Sequence, residues 1–164
     1  MWVFLVGADA VAQSRNPRET LLPMEVFASE SLEFDELVIK SRRLKKDVIG
    51  PADNALHVRK AISYRCTTTI RGQQDPVTHL FVVVKLANGS TKPWMVEGAT
   101  LTVEGEALPG AIVWQAEPIS QRGSGMVVVR VEVTAEQALS TFTLTLRDTS
   151  GRQPLTLENV RFPL

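Results

Sequence analysis

The feature that most constrains this chain is a two-residue alternation of apolar and polar side chains, which runs through its last two thirds. The clearest example is MVVVRVEVT at 126–134, where alternate valines face one side and Val128, Arg130 and Glu132 face the other. In STFTLTLRD at 140–148, apolar side chains oppose threonines in the same way. This spacing is typical of strands with one face toward a core and the other toward water.

Seven segments of this kind follow one another along the chain. They span residues 55–66, 78–86, 99–104, 111–115, 126–134, 141–147 and 155–162. Short turn-forming sequences, rich in glycine, proline and polar residues, separate them at regular intervals. The pattern predicts a mainly β fold, an antiparallel immunoglobulin-like β-sandwich of about seven strands formed by residues 51–164.

One of these segments is apolar on both faces. It is HLFVVVKL at 79–86, where the whole run from Leu80 to Val84 is apolar. Such a strand either lies centrally and is covered on both sides, or its outer face contacts another element. We favour the second interpretation, because it gives the helix predicted next a surface on which to pack.

Residues 13–50 lack the alternation. Residues 1–50 are predicted to form an N-terminal strand plus a charged helical arm or connector, which fits the remnant of a larger upstream domain. Acids precede cations in 29–49, an order that complements a helix dipole, and Gly50 would end the helix. The apolar residues that would share one helical stripe are Phe34, Leu37, Leu44 and Val48. The stretch ELVIKSRRL at 36–44 also fits an edge strand.

The extreme N-terminus carries three weaker signals. The apolar run from Trp2 to Val6 is predicted to be a single strand whose partners lie upstream. The sequence AVA at 10–12 resembles a signal-peptide cleavage site, but the positively charged region is missing and the apolar core is short. The sequence NPRE at 16–19 predicts a short helical turn.

Composition argues against several classes of function. Lysine plus arginine (18) balance aspartate plus glutamate (18), so no overall field attracts a polyanion or an anionic membrane surface. The single cysteine, Cys66, cannot form an intramolecular disulfide, and two histidines are too few for a Cys/His metal cage. No apolar run approaches the roughly 20 residues that a membrane-spanning helix needs. We therefore predict no cofactor, no metal site and no membrane span.

Candidate catalytic residues are few. In NALHVRKAISYRC at 54–66, His57 and Tyr64 are at odd spacing, so regular alternation puts them on opposite faces. Cys66, which ends this segment, fits a small buried hydrophobe better than a reactive thiol. A hydrolase is the first alternative function, and its site would have to assemble from distant loops. That site would combine His79, Glu97 and Ser124.

Two groups of residues are candidates for contact with a partner. Trp94 and Trp114 lie in KPWMVEG and IVWQAEP; tryptophans in a small sandwich are usually core residues, but an exposed one would anchor a partner. The second group is a run of cations that consists of Lys40, Arg42, Arg43, Lys45 and Lys46. These cations would either contact nucleic-acid phosphates or form the solvated end of a helix, and we favour the helix end.

Several short sequence blocks, taken in order, carry a resemblance to a known family. They are NALHVRKAISYR, KPWMVEGATL, VWQAEPISQRGSGMVVVRVEV, TFTLTLRD and LENVRFP. Over residues 52–164 they resemble the C-terminal domain of a myxobacterial (Myxococcus-type) paralogous family of secreted or envelope proteins of unknown function. The resemblance implies an upstream β-domain, with MWVFLV similar to its last strand, and no catalytic residues. It implies an envelope or secreted location if an export signal lies upstream of this chain, and a cytoplasmic one otherwise.

The leading prediction is a non-enzymatic β-sandwich that binds or assembles with a partner protein and is associated with the cell envelope. An edge strand or the aromatic loops would provide the contacts. The sequence shows no cluster of titratable residues that would favour catalysis. Hydrolysis and nucleic-acid binding through Lys40 to Lys46 are the two alternatives.

Overall fold

Two antiparallel β-sheets make up most of the part of the protein that the structure describes. The computed structural model describes residues 2–4, 34–45, 47–50, 55–149 and 154–164. These residues are mainly β, as predicted, and their helical content is one 3₁₀ turn, Gln137–Leu139. None of them belongs to a helix with the length and hydrophobicity needed to cross a membrane.

The described residues contain strands numbered β1 to β11 in chain order. Their bounds are Trp2–Phe4 (β1), Phe34–Arg43 (β2), Val48–Ile49 (β3), Leu56–Ile70 (β4), Val77–Asn88 (β5), Val96–Val103 (β6), Glu106–Ala107 (β7), Ile112–Trp114 (β8), Ser124–Val133 (β9), Thr141–Asp148 (β10) and Leu155–Arg161 (β11). One sheet has the order β1-β2-β4-β5-β9-β8, and the other has the order β3-β11-β10-β6-β7. Each of the seven predicted segments overlaps one strand, so the period-two pattern located these strands, although it missed the two-residue β7.

The main core lies between the two sheets. The inner faces of β5 and β9 contribute Leu80, Val82, Val84, Val127, Val129 and Val131, and the facing strands contribute Phe142, Leu144, Leu146, Leu155 and Leu157. All of these side chains are buried. The Phe142 ring packs edge-on against the ring of Phe162, with 5.4 Å between centroids. The alternation of apolar and polar side chains therefore gives each sheet an apolar inner face, and the two inner faces pack against each other.

A buried hydroxyl links the two sheets near one side of this core. Ser63 lies on β4 and is fully buried. Its Oγ donates a hydrogen bond to the backbone oxygen of Arg161 at the end of β11, at 2.7 Å. The bond satisfies a polar group where the two sheets meet and so offsets the cost of burying it.

The outer face of the six-stranded sheet carries a second apolar cluster. Its buried members are Tyr64, Cys66, Phe81, Val83 and Val128, and Ile39, Ile62, Trp114 and Met126 pack against them. This face is henceforth called the outer face. The central strand β5 is therefore buried on both sides, as its sequence predicted. The interpretation that we favoured, a helix packed on this face, is wrong for residues 34–43, because that segment pairs beside β4 in the same sheet.

The helix predicted over 29–49 is wrong wherever the structure describes that range. Phe34–Arg43 form β2, which pairs antiparallel with β4. The order of acids and cations stabilises a helix by only a few tenths of a kcal/mol per pair. Pairing with β4 instead satisfies backbone groups along the whole strand and lets Ile39 pack on the outer cluster, so tertiary context overrides local preference. The alternative prediction, an edge strand at 36–44, was right that this segment is a strand. It was wrong about the edge, because β1 flanks β2.

The segment before residue 50 contributes strands to both sheets. Trp2–Phe4 pair with β2, so the prediction that this strand has only upstream partners is wrong. Val48–Ile49 pair with β11 of the other sheet. The predicted domain boundary at residue 50 therefore lies between strands of one sandwich. The helical turn predicted at 16–19 lies outside the described residues.

We expect Phe142→Ala to lower the free energy of unfolding by about 3–5 kcal/mol, because it leaves a cavity in the inter-sheet core. The control is Thr145→Ala on the same strand, at a half-buried position, where we expect a loss below about 1 kcal/mol. Urea denaturation followed by circular dichroism measures both. Equal losses in the two variants would contradict the assignment of the buried face.

Candidate binding site on the outer sheet face

The two tryptophans occupy different environments. Trp94 is only 8% exposed and belongs to the inter-sheet core. Its backbone N–H donates to the oxygen of Ile119 at 2.9 Å, and the N–H of Ile119 donates back at 2.8 Å. Trp94 therefore takes the structural role that is usual for a tryptophan, and it does not line the candidate surface.

Trp114 lies half-buried on the outer face, at the end of the edge strand β8. It pairs with Val128 of β9 and packs against the outer cluster. Beside it is a small pocket of about 150 Å³. The lining residues include Trp114, Glu117, Pro118, Ile119, Ser124 and Met126. The pocket thus has one aromatic wall, one loop wall and a floor made by the start of β9.

Two buried amides hold the loop wall in place. The Nδ2 of Asn88 donates to the backbone oxygens of Lys92 and Ile119, at 2.8 and 2.9 Å. The Nε2 of Gln115 donates to the oxygen of Glu117 at 2.9 Å, and its Oε1 accepts from the N–H of Val96 at 2.8 Å. These bonds tie the segment after β8 to two other parts of the chain. Hydrogen bonds as well as side-chain packing therefore hold the loop wall, and the pocket is formed before any ligand binds.

A glycine allows the loop to approach β9 closely. A Cβ atom added at Gly125 would lie 2.6 Å from the Cγ1 of Ile119, which is too close for any side chain. The missing Cβ leaves room for Ile119, which is buried. Ile119 and Gly125 both line the pocket beside Met126.

The cation run predicted at Lys40 to Lys46 does not form one surface. Alternation along β2 places Lys40 and Arg42 on one face and Arg43 on the other. The Nζ of Lys40 donates to the backbone oxygen of Leu164 at 2.7 Å. Lys45 is exposed after the strand, and Lys46 lies outside the described residues. The helical arrangement that would have gathered these cations is absent from the described part of the run, because this part is a strand.

A different group of cations, called the cationic row, lies on the outer face. It consists of Lys60 and Lys85, which stand directly opposite each other on β4 and β5, and of Arg43, which is opposite Ile62. Met126 of β9 is the partner of Lys85 on its other side. The row therefore begins next to the Trp114 pocket. Sequence reasoning identified Arg43 but missed both lysines, since alternation gives the face of a residue and not its cross-strand neighbour.

The three residues of the hydrolase alternative are not brought together. Ser124 is opposite Ala87 on β5, and His79 lies further along that strand by about 26 Å at the usual rise per residue. Glu97 is exposed on β6, in the other sheet. A nucleophile and its general base must lie within hydrogen-bond reach. The convergence that the hydrolase alternative requires is therefore not found for these three residues.

His57 and Tyr64 share the outer face, and the prediction that they lie on opposite faces is wrong. A β-bulge between Val58 and Lys60 adds one residue and reverses the alternation. The two remain about 20 Å apart along the strand, so they cannot act together. Among the described residues, no three His, Cys, Asp or Glu side chains are grouped as a metal ion would require.

Cys66 is fully buried in the outer cluster. Burial raises the pKa of its thiol to about 12. Because the thiolate is the reactive form, the side chain is chemically inert near neutral pH. This agrees with the prediction of a small buried hydrophobe.

The chain matches no protein-family model, no curated protein and no solved structure. The resemblance to a myxobacterial family therefore stays a prediction. The geometry of the outer face carries the functional proposal.

We expect Cys66 to resist iodoacetamide in the native protein at pH 8, where a pKa of about 12 leaves about one thiol in ten thousand ionised. Raising the pH raises the thiolate fraction, so alkylation should accelerate toward alkaline pH. The control is the same protein in guanidinium chloride, which should be alkylated rapidly. Equal rates for native and denatured protein would contradict the burial of this thiol.

Proposed function

We propose that this chain is a non-enzymatic binding module that holds a partner protein at the edge of the outer face, with Trp114 as its anchor. The observation that carries the proposal is the position of Trp114: half-buried, on an apolar sheet face, at a preformed pocket. Tryptophan dominates binding energy at protein interfaces because it buries a large rigid surface at low entropic cost. Ile112, on the same edge strand and 53% exposed, adds apolar area beside it.

The strand order supports an immunoglobulin-like architecture as part of this proposal. The neighbours β4-β5-β9-β8 in one sheet and β11-β10-β6 in the other follow the order of the two immunoglobulin sheets. On this reading the seven predicted segments are the seven strands of the module, and β1, β2, β3 and β7 are additions at its edges.

Two features of the described residues favour binding over catalysis. The residues that a hydrolase would need, His79, Glu97 and Ser124, are far apart. The nucleophilic thiol of Cys66 is neutral and enclosed. The division of Lys40, Arg42 and Arg43 between two faces does not favour nucleic-acid binding through that run. An association with the cell envelope enters the proposal through the family resemblance alone.

The proposal is tested by selecting binders from a displayed library of random peptides and measuring their affinity for variants. We expect Trp114→Ala to weaken the selected binders by roughly 30-fold or more, because it removes the central anchor. Met126→Ala, at the same pocket, should weaken them less. A urea denaturation curve for each variant shows that its fold is retained.

The matched control is Leu139→Ala. Leu139 is 61% exposed and lies in the 3₁₀ turn that follows the opposite end of β9, so it presents apolar surface of similar size far from the pocket. Its loss should leave binding unchanged. Selected peptides that bind Trp114→Ala as tightly as the unchanged protein would overturn the proposed function.

A further inference from the structure

We infer that the segment bound at this site is acidic and carries one large apolar side chain, which enters the Trp114 pocket while its carboxylates contact Lys85 and Lys60. This inference rests on the proposed function and names the chemistry of the partner.

The pocket and the row form one continuous strip across the sheet. Met126 lines the pocket and pairs with Lys85, and Lys85 pairs with Lys60. These three residues stand in register on β9, β5 and β4, so their side chains leave the same face of the sheet. A ligand that enters the pocket and continues along the strip meets both ammonium groups.

The two lysines lack a neutralising partner in the described part of the chain. Like charges directly opposite each other on neighbouring strands destabilise a sheet. Lys85 is exposed and Lys60 is half-buried, and neither side chain forms a hydrogen bond or an ion pair with a described residue. A bound carboxylate would relieve this repulsion, so the strip favours an anionic ligand. Arg43, exposed and opposite Ile62, adds a third positive charge nearby.

Among the described residues, the two acids nearest by position are not in register with Lys60 and Lys85. Glu132 is on the outer face but opposite His79, toward the other end of β5. Glu117 lines the pocket on its loop side. An entering segment would therefore place its apolar side chain between Trp114 and the loop, and its acids on the side away from Glu117. The charge pattern thus orients the segment across the strands.

Strand spacing fixes the arrangement of the ligand. Adjacent strands are about 4.8 Å apart, so Met126 and Lys60 are separated by about 10 Å. An extended peptide rises about 3.3 Å per residue and turns only every second side chain toward the sheet, so its acids should be the second and fourth residues after the apolar one, within reach of the long lysine side chains. A polyanion such as a nucleic acid would differ from this ligand, because it would contact the cationic row without placing an apolar group in the Trp114 pocket.

The experiment uses short synthetic peptides with one phenylalanine followed at that spacing by glutamates, and measures binding by fluorescence polarisation. Matched peptides replace the phenylalanine by alanine, or the glutamates by glutamine or lysine. We expect the double variant Lys60→Gln with Lys85→Gln to weaken binding about fivefold at low salt, with a smaller difference at high salt. Lys45→Gln, an exposed cation outside the strip, should have no effect.

Charge reversal gives the sharper test. In Lys60→Glu with Lys85→Glu, the lysine peptide should bind better than the glutamate peptide, which a loss of folding could not produce. If Trp114→Ala abolishes binding of library-selected peptides while the lysine variants bind them unchanged, the acidic partner is wrong and the proposed function stands. If oligothymidylate binds in a way that needs the lysines but not Trp114, the ligand is a nucleic acid and the inference is overturned.

Discussion

Burial of both faces of β5 is the constraint on which the rest of the structure depends. Its inner side chains enter the inter-sheet core, and its outer ones, Phe81 and Val83, enter the outer cluster. A slip of one residue would exchange the two sets, and pairing on both sides with β4 and β9 opposes such a slip. The register that results places Lys85 between Lys60 and Met126. The candidate site is therefore a consequence of how the central strand is packed.

The site combines an apolar sheet face with a wall made by hydrogen bonds. Side-chain amides of Asn88 and Gln115 bond to backbone groups of the loop after β8, so the loop geometry does not depend on a ligand. A preformed pocket spares the entropy that a mobile loop would lose on binding. The sheet orients the side chains that line the site, and the loop after β8 forms the second wall of the pocket.

The sequence was sufficient for seven of the eight strands described beyond residue 51, because period-two alternation reflects directly which side chains are buried; the two-residue β7 was missed. It was insufficient for 34–43, where helical and strand patterns overlap and the decision comes from pairing with β4. The β-bulge between Val58 and Lys60 moves the side chains before it to the opposite face of the sheet from the one that regular alternation predicts. The local sequence contains no feature that indicates this bulge. Of the candidate binding residues, Trp114 lies at the pocket and Arg43 near its strip. The lysines were missed because register is a property of two strands and not of one.

The pairing of residues 34–49 with both sheets has a consequence for shortened forms of the protein. A fragment beginning at residue 51 would lack β2 and β3, which cover the flanks of β4 and β11. The backbone N–H and C=O groups of β4 between Ile62 and Ile70 would then lose their partners on one side. Long bare flanks of this kind template association with other chains, so such a fragment would be prone to aggregate.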